Sequence, residues 1–297
     1  MRTRLIKLSL RLCAYLPLRV VHALGAGAGW LLARLPNDTR HVARINLARC
    51  YPQLDAPARR RLTEQCLMET VRTAMETGPL WHWDRERLRR LVLGAEGEDL
   101  LEQALAAGRG AILAIPHLGA WEMVGLYCSM RHPMTSLYRP PRLGSLDALM
   151  TAARERFGAR LVPSDTAGVR ALLKASRRGE LLAILPDQEP RYGNGIFSPF
   201  FGIPAYTMTL LARLTQQTGA PVFITYAERL ARGSGYRLHF QPLAPPSGEA
   251  SVEQITAAVN AAIEDCVRRI PQQYQWGYKR FKTRPPGEPR FYPRRAS

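Results

Sequence analysis

The residues with the clearest chemical potential lie in the run AILAIPHLGAWE at positions 111 to 122. An apolar stretch ends at Pro116, His117 follows, and Glu122 stands five residues later. In a regular helix, residues five apart point about 140° away from each other, and in a strand they face opposite sides. The two side chains can therefore meet only where a strand gives way to a helix. Such a pair suits general acid–base work: the imidazole takes a proton from a hydroxyl and the carboxylate orients and stabilises the imidazolium. Attack by that hydroxyl on a thioester needs no cysteine or serine nucleophile. Backbone amides near Gly119 are candidates for holding the resulting oxyanion. The bland alternative is a histidine hydrogen-bonded at a helix start beside a surface glutamate.

The elements around this run must deliver its residues to one place. Short apolar runs ended by turn residues recur at 180 to 188 (ELLAILPDQ) and 220 to 230 (APVFITYAERL). With the run before His117 they read as internal strands of a parallel sheet. GYRLHFQPL, at 235 to 243, alternates. Helical patterns lie at 119 to 130, 145 to 157, 166 to 178, 205 to 218 and 251 to 270, which is the rhythm of an α/β fold with a largely parallel central sheet flanked by helices. Upstream, Asn37 or Asp38 can cap a helix closed by Pro52. An amphipathic helix over 55 to 76 is expected to stop at Gly78 and Pro79. Residues 84 to 108 read as helical and highly charged, and the tail from Pro285 as irregular. In open sheets of this kind ligands bind at the carboxyl ends of the strands, where His117 would sit.

Composition narrows the classes. The 297 residues suffice for one large domain or two small ones, and a mean hydropathy of -0.20 argues against a multi-spanning membrane protein. A formal charge of +18 calls for an anionic partner: a membrane surface, a nucleic acid, or an acidic protein or phosphorylated substrate. The cysteines (13, 50, 66, 128 and 266) form no CxxC pair and the histidines no HExxH, so reduced structural thiols and no metal site are expected. The N-terminus, MRTRLIKLSLRLCAYLPLRVVHALGAGAGWLLARL, is apolar but broken by Arg11, Arg19 and His22. Its uncharged stretch is shorter than the about 20 residues that a span requires. An interfacial or re-entrant anchor fits these interruptions best. A single snorkelling span, a cleaved signal peptide and a buried first helix are the other readings.

HLGAWE resembles the HxxxxE/D signature of the lipid A biosynthesis late acyltransferases, the lauroyl/myristoyl acyltransferase family, and more distantly that of the glycerolipid acyltransferases. Further blocks look like the family's, in its order: Asn46-Leu47, Tyr138-Arg139-Pro140, Arg154-Glu155-Arg156, Leu185-Pro186-Asp187-Gln188, Pro199-Phe200-Phe201-Gly202 and Arg280-Phe281-Lys282-Thr283-Arg284-Pro285. They span nearly the whole chain. The resemblance implies a glycerolipid-acyltransferase-like α/β fold in two parts: an N-terminal membrane-anchoring helix within residues 1–35 and a cytoplasmic acyltransferase domain over 36–297 at the bacterial inner membrane. It implies transfer of an acyl chain from acyl carrier protein to a hydroxyl on a lipid A precursor, giving an acyloxyacyl group, with no cofactor. It makes His117 and Glu122 the dyad, matches Arg154 to a family arginine that serves the active site, and sets Arg139, Asp187 and Gln188 near the substrate. Arg139 and Arg154 suit phosphate recognition, Asp187 could converge on the same crevice or cap a turn, and Gln188 could donate to a carbonyl or sugar oxygen.

Other expectations attach to single features. Phe197, Phe200, Phe201 and Met208 offer material for an acyl groove or for ordinary core. The basic tail with Trp276, Tyr278, Lys279, Arg280 and Lys282 is a possible nucleic-acid surface without a recognised binding module. Competing functions are transfer to another membrane glycolipid or amino-lipid, a non-catalytic basic protein of membranes or nucleic acid, and, more remotely, a metal hydrolase.

Overall fold

The runs Ala111–Ala114 and Leu181–Ile184 contain no polar residue, and every residue in them is buried. They form adjacent strands at the middle of a sheet covered on both faces, where a continuous apolar run is required. In the computed structural model, which describes residues 2–140, 144–244 and 250–293, the chain begins with four helices: α1 (Arg2–Tyr15), α2 (Leu18–Arg34), α3 (Asp38–Cys50) and α4 (Ala56–His82). Alternation follows: α5 (Arg85–Arg90), β1 (Val92–Glu96), α6 (Glu98–Ala106), β2 (Ala111–Ala114), α7 (Trp121–Ser129), β3 (Met134–Tyr138), α8 (Asp147–Glu155), β4 (Ala159–Pro163), α9 (Thr166–Arg177) and β5 (Leu181–Ile184). A hairpin of β6 (Gly195–Phe200) and β7 (Ile203–Met208) precedes α10 (Leu210–Thr218), β8 (Val222–Arg229), β9 (Tyr236–Pro242) and α11 (Val252–Arg269).

The seven-stranded sheet has the order β1-β9-β8-β2-β5-β3-β4. All its neighbours are parallel except β8 and β9. Alternate side chains feed two cores. Ile112, Leu182 and Ile224 pack with residues of α9, α10 and α11, whereas Leu113, Leu181 and Phe223 pack with residues of α6 and α7. The α/β class and the parallel centre are as expected.

Several local expectations change or narrow. The charged stretch 84 to 108 contains β1, which survives at the sheet edge by pairing with β9 and through Glu96, 3.0 Å from His239. The pattern from 205 begins as β7, and only Leu210 onward is helical. The fourth helix does not stop at Pro79. Proline removes one helical hydrogen bond, yet the helix continues to His82, and the Arg156 guanidinium donates to the carbonyls of Leu80 and Trp83 at its end. Phe200 and Phe201 are core residues packed around Tyr51, Tyr274 and Trp276. Trp276 and Arg280 are likewise buried, and Arg280 donates to Tyr206 O and Thr207 Oγ1 of β7, so this part of the tail is no basic surface. Asn37 caps α3 as expected, accepting from the Arg40 amide.

No helix among the described residues is long and apolar enough to cross a membrane. The first two helices divide their faces instead. Leu18, Val21 and His22 of α2 are buried, while Leu5, Leu8, Leu12 and Tyr15 of α1 and Val20, Leu24 and Leu31 of α2 are exposed at helical spacing. A buried charge cluster ties this layer to the sheet. Arg229, at the end of β8, donates to Glu69, Thr73 and Glu76 of α4, and Glu76 also receives His22 and Tyr236. Burial alone would raise the Glu76 pKa, but Arg229 and His22 pull it down to about 2.

Candidate active site

His117 leaves the sheet just beyond β2, and Asp187 just beyond the neighbouring β5. Because β2 and β5 run parallel and in register, both strand ends open on one crevice. Asp187 grips the histidine twice: its Oδ2 accepts from the His117 amide at 2.9 Å, and its Oδ1 lies 2.7 Å from Nδ1. An ionised carboxylate can only accept, so Nδ1 carries a proton in either charge state, and in the neutral imidazole Nε2 presents its lone pair. Nε2 has no hydrogen-bond partner among the described residues, and 14% of the side chain reaches solvent. Asp187 is buried, which would raise its pKa, yet the charge and hydrogen bonds of His117 hold it below the usual carboxylate range. The Tyr274 hydroxyl also stands against this carboxylate, and burial pushes its own pKa well up.

Glu122 lies near His117 but does not hold it. From the first turn of α7 it receives Arg154 Nε at 3.0 Å, Arg154 Nη2 and Trp81 Nε1 at 3.2 Å. Burial opposes the charged form of Glu122. Arg154, Trp81 and, more weakly, the His117 charge lower its pKa nonetheless. Burial depresses the Arg154 pKa and Glu122 more than restores it. The site thus holds two ionised carboxylates, one bonded to the imidazole and one clamped by a guanidinium and an indole. Between them the Trp121 ring packs on His117 with centroids 5.0 Å apart.

The turn joining strand to helix is tightly determined. Gly119 has φ 62°, and a Cβ there would fall 2.0 Å from the Ala227 carbonyl oxygen. Its amide donates to Gln273 O and that of Ala120 to Ala227 O. The amides of 117 to 120 are therefore all committed, and the expected oxyanion donors near Gly119 are not free. The unclaimed amides are one step on. Ala120 supplies no side-chain cap to α7, and the Trp121 and Glu122 N–H groups have no acceptor among the described residues.

The remaining expected residues divide. Gln188 donates to Gln275, whose amide in turn donates to His117 O at 3.1 Å, so Gln188 supports the histidine loop. Arg139 follows β3 at the same edge of the sheet but is exposed and makes no ion pair among the described residues. Trp81, Trp121, Tyr274 and Gln275 join the site without having been expected there. Trp121 lies inside the motif and could have been read from it, whereas Tyr274 and Gln275 arrive from the far end of the chain with no local signal. A mostly apolar slot opens beside Glu122 and Arg154, lined by Ile115, Leu126, Met134, Leu137, Leu161 and Leu185. All five cysteines are buried, and burial raises every thiol, so none is a ready thiolate nucleophile.

This arrangement can accept a proton at Nε2 and stabilise the resulting imidazolium, beside a small, mostly apolar slot. Residues 3–283 match the family described as bacterial lipid A biosynthesis acyltransferase. Among curated proteins, the chain is 30% identical over 286 residues to the lipid A biosynthesis lauroyltransferase of Escherichia coli (strain K12), covering 95% of this chain and 91% of that protein. It is 30% identical to the palmitoleoyltransferase of the same organism, over 93% of this chain and 90% of the relative. It is 26% identical to the myristoyltransferase, over 91% and 83%. With the family matched over nearly its whole length, the chain belongs to the bacterial lipid A biosynthesis acyltransferases.

Proposed function

We propose that this enzyme transfers a fatty acyl chain from the thioester of acyl carrier protein to a hydroxyl on an acyl chain of a lipid A precursor, leaving an acyloxyacyl ester. The observation that carries the reading is the His117 imidazole, fixed at Nδ1 by Asp187 and open at Nε2, beside an apolar slot in a member of this family. In the reaction Nε2 takes the hydroxyl proton as the oxygen attacks the thioester carbonyl. The tetrahedral intermediate collapses with loss of the thiolate, which recovers the proton from the imidazolium. Asp187 holds the productive tautomer and stabilises the imidazolium. Glu122 adds a second negative charge near the ring and positions Arg154 at the mouth of the slot. The free amides of Trp121 and Glu122, at the positive end of α7, are the donors offered to the oxyanion.

The reaction runs at the inner face of the bacterial inner membrane. The exposed stripes Leu5, Leu8, Leu12 and Val20, Leu24, Leu31 support an interfacial anchor that lies on the bilayer, and the +18 charge supports attraction to anionic lipid and to an acidic carrier. The test is product analysis: purified protein, a lipid A precursor, and one acyl chain offered on acyl carrier protein or on coenzyme A. The expected product gains one ester-linked acyl group on a pre-existing acyl hydroxyl, with the carrier-bound donor preferred. A product acylated on a sugar hydroxyl, or a preference for coenzyme A, would defeat this assignment.

A further inference from the structure

The sheet edge that carries His117 has a second cavity, larger than the apolar slot and lined by charged side chains. One strand over, at the end of β8, a polar cleft of about 590 Å³ lies between α2, the 231–233 turn and residues Gln272 and Gln273. It shares a wall with the histidine loop: Gln273 O accepts from the Gly119 amide, and Gln273 Oε1 accepts from the Arg229 amide. Four arginines line it: Arg19, Arg72, Arg229 and Arg232. Both lining carboxylates are already engaged, Glu69 by Arg72 and Arg229, and Glu228 by His239. Arg19 and Arg232 have no carboxylate partner among the described residues, and with four arginines against two carboxylates the lining is net positive.

The backbone gathers these two arginines. Arg232 adopts φ 57°, a left-handed conformation costly for a side-chain-bearing residue. The next residue, Gly233, has φ 66° and is pressed on α2 so closely that a Cβ would stand 2.7 Å from the Arg19 Cα. The strained turn is thereby pinned beside Arg19, while Val20 and Leu24 of the same helix are exposed. The cleft therefore has basic walls, shares Gln273 with the support of the histidine loop, and is bordered by α2, whose Val20 and Leu24 are exposed.

We propose that this cleft is a phosphate subsite in which Arg19 and Arg232 bind a phosphate monoester carried by the lipid acceptor while its acyl hydroxyl reaches His117. The inference deepens the acyltransferase reading and rests on it for the identity of the acceptor. Paired guanidinium donors match phosphate oxygens. Beneath them, the buried Arg229–Glu69–Glu76 cluster, with Arg72 on Glu69 balancing its charge, forms the floor of the cleft.

The experiment uses the full chain in three arms. Calorimetry with glucosamine 1-phosphate, against glucosamine, is expected to show binding of the phosphosugar alone, weakened about tenfold or more by Arg19→Gln or by Arg232→Gly. Arg232→Gly relieves the left-handed strain, so it should melt no lower than the parent, which separates lost binding from lost folding. In acyl transfer, each variant is expected to raise KM for the phosphorylated acceptor, and parent and variant to converge on an acceptor stripped of its phosphates. Co-sedimentation with vesicles of phosphatidic acid in phosphatidylcholine identifies the source of the phosphate. Loss of vesicle binding together with a KM indifferent to acceptor phosphate would give the subsite to a bilayer phospholipid. Variants that match the parent in all three arms overturn the subsite. A parent with no transferase activity would count against the reading of function, and the calorimetric and vesicle arms would still decide the subsite.

Discussion

Replacing Asp187 with asparagine changes one atom of the site and inverts its proton bookkeeping. Asparagine fills the same volume and can still accept the His117 amide through its carbonyl oxygen. Its amide nitrogen then faces Nδ1, 2.7 Å away, where the carboxylate Oδ1 stood. That nitrogen donates, so Nδ1 must accept, and the imidazole proton moves to Nε2, the atom that has to take the hydroxyl proton. The substitution also removes the charge that stabilises the imidazolium. An analogous change in a serine-protease triad costs about 10⁴ in kcat. Here Glu122 remains as a second carboxylate near the ring, so a fall of about 10²- to 10⁴-fold is expected, about 3 to 5 kcal/mol of barrier. The assay is acyl transfer at saturating donor and acceptor, with the melting temperature measured in parallel. A folded Asp187→Asn protein that keeps kcat within threefold of the parent would refute the role of Asp187, and the imidazole would then need another orienting group.

Three further outcomes follow from the same geometry. Glu76→Gln leaves Arg229 short of a buried partner and should cost about 3 to 5 kcal/mol of stability in denaturant unfolding. The folded-state pKa of Glu76, about 2, lies below its ordinary value near 4.5. Its contribution is therefore complete above about pH 4.5 and drains away as pH falls towards 2. The parent should lose stability across that window more steeply than the variant, and parallel curves would contradict the assignment. Gly119→Ala sets a Cβ 2.0 Å from the Ala227 carbonyl oxygen at φ 62°, so melting temperature and kcat should fall together, by more than about 1 kcal/mol in stability. Leu8→Glu with Leu12→Glu should weaken vesicle co-sedimentation about 100-fold or more, since each buried leucine is worth about 1.5 to 3 kcal/mol; unchanged partition would remove α1 from the membrane-facing surface.

How far the sequence could be read depends on the range of the interaction involved. AILA and LLAI announce internal strands because burial on both faces leaves no place for a polar residue. The edge strand Val92–Glu96 carries no such signal. It is short, partly exposed, flanked by charged helices, and held by a β9 partner more than 140 positions away. Pro79 reads as a stop, yet the helix runs on to His82, where the donors to its terminal carbonyls come from Arg156, in another element. The aromatic blocks around Phe200 and Trp276 are visible as blocks, but their mutual burial is a tertiary fact. The same limit governs the site. The five-residue spacing identifies His117 and Glu122 as neighbours across a strand-to-helix junction and suggests that they bond. Which carboxylate takes the imidazole is decided by β2 and β5 ending side by side, which delivers Asp187 to Nδ1 and leaves Glu122 to Arg154 and Trp81.

The most direct test of the central claim is the rate of acyl transfer from acyl carrier protein to a lipid A precursor by the parent and by His117→Ala. A base at Nε2 predicts robust transfer by the parent and a loss of about 10²- to 10⁴-fold in the variant with its fold intact. A His117→Ala protein that still transfers at a rate close to the parent's would contradict the account.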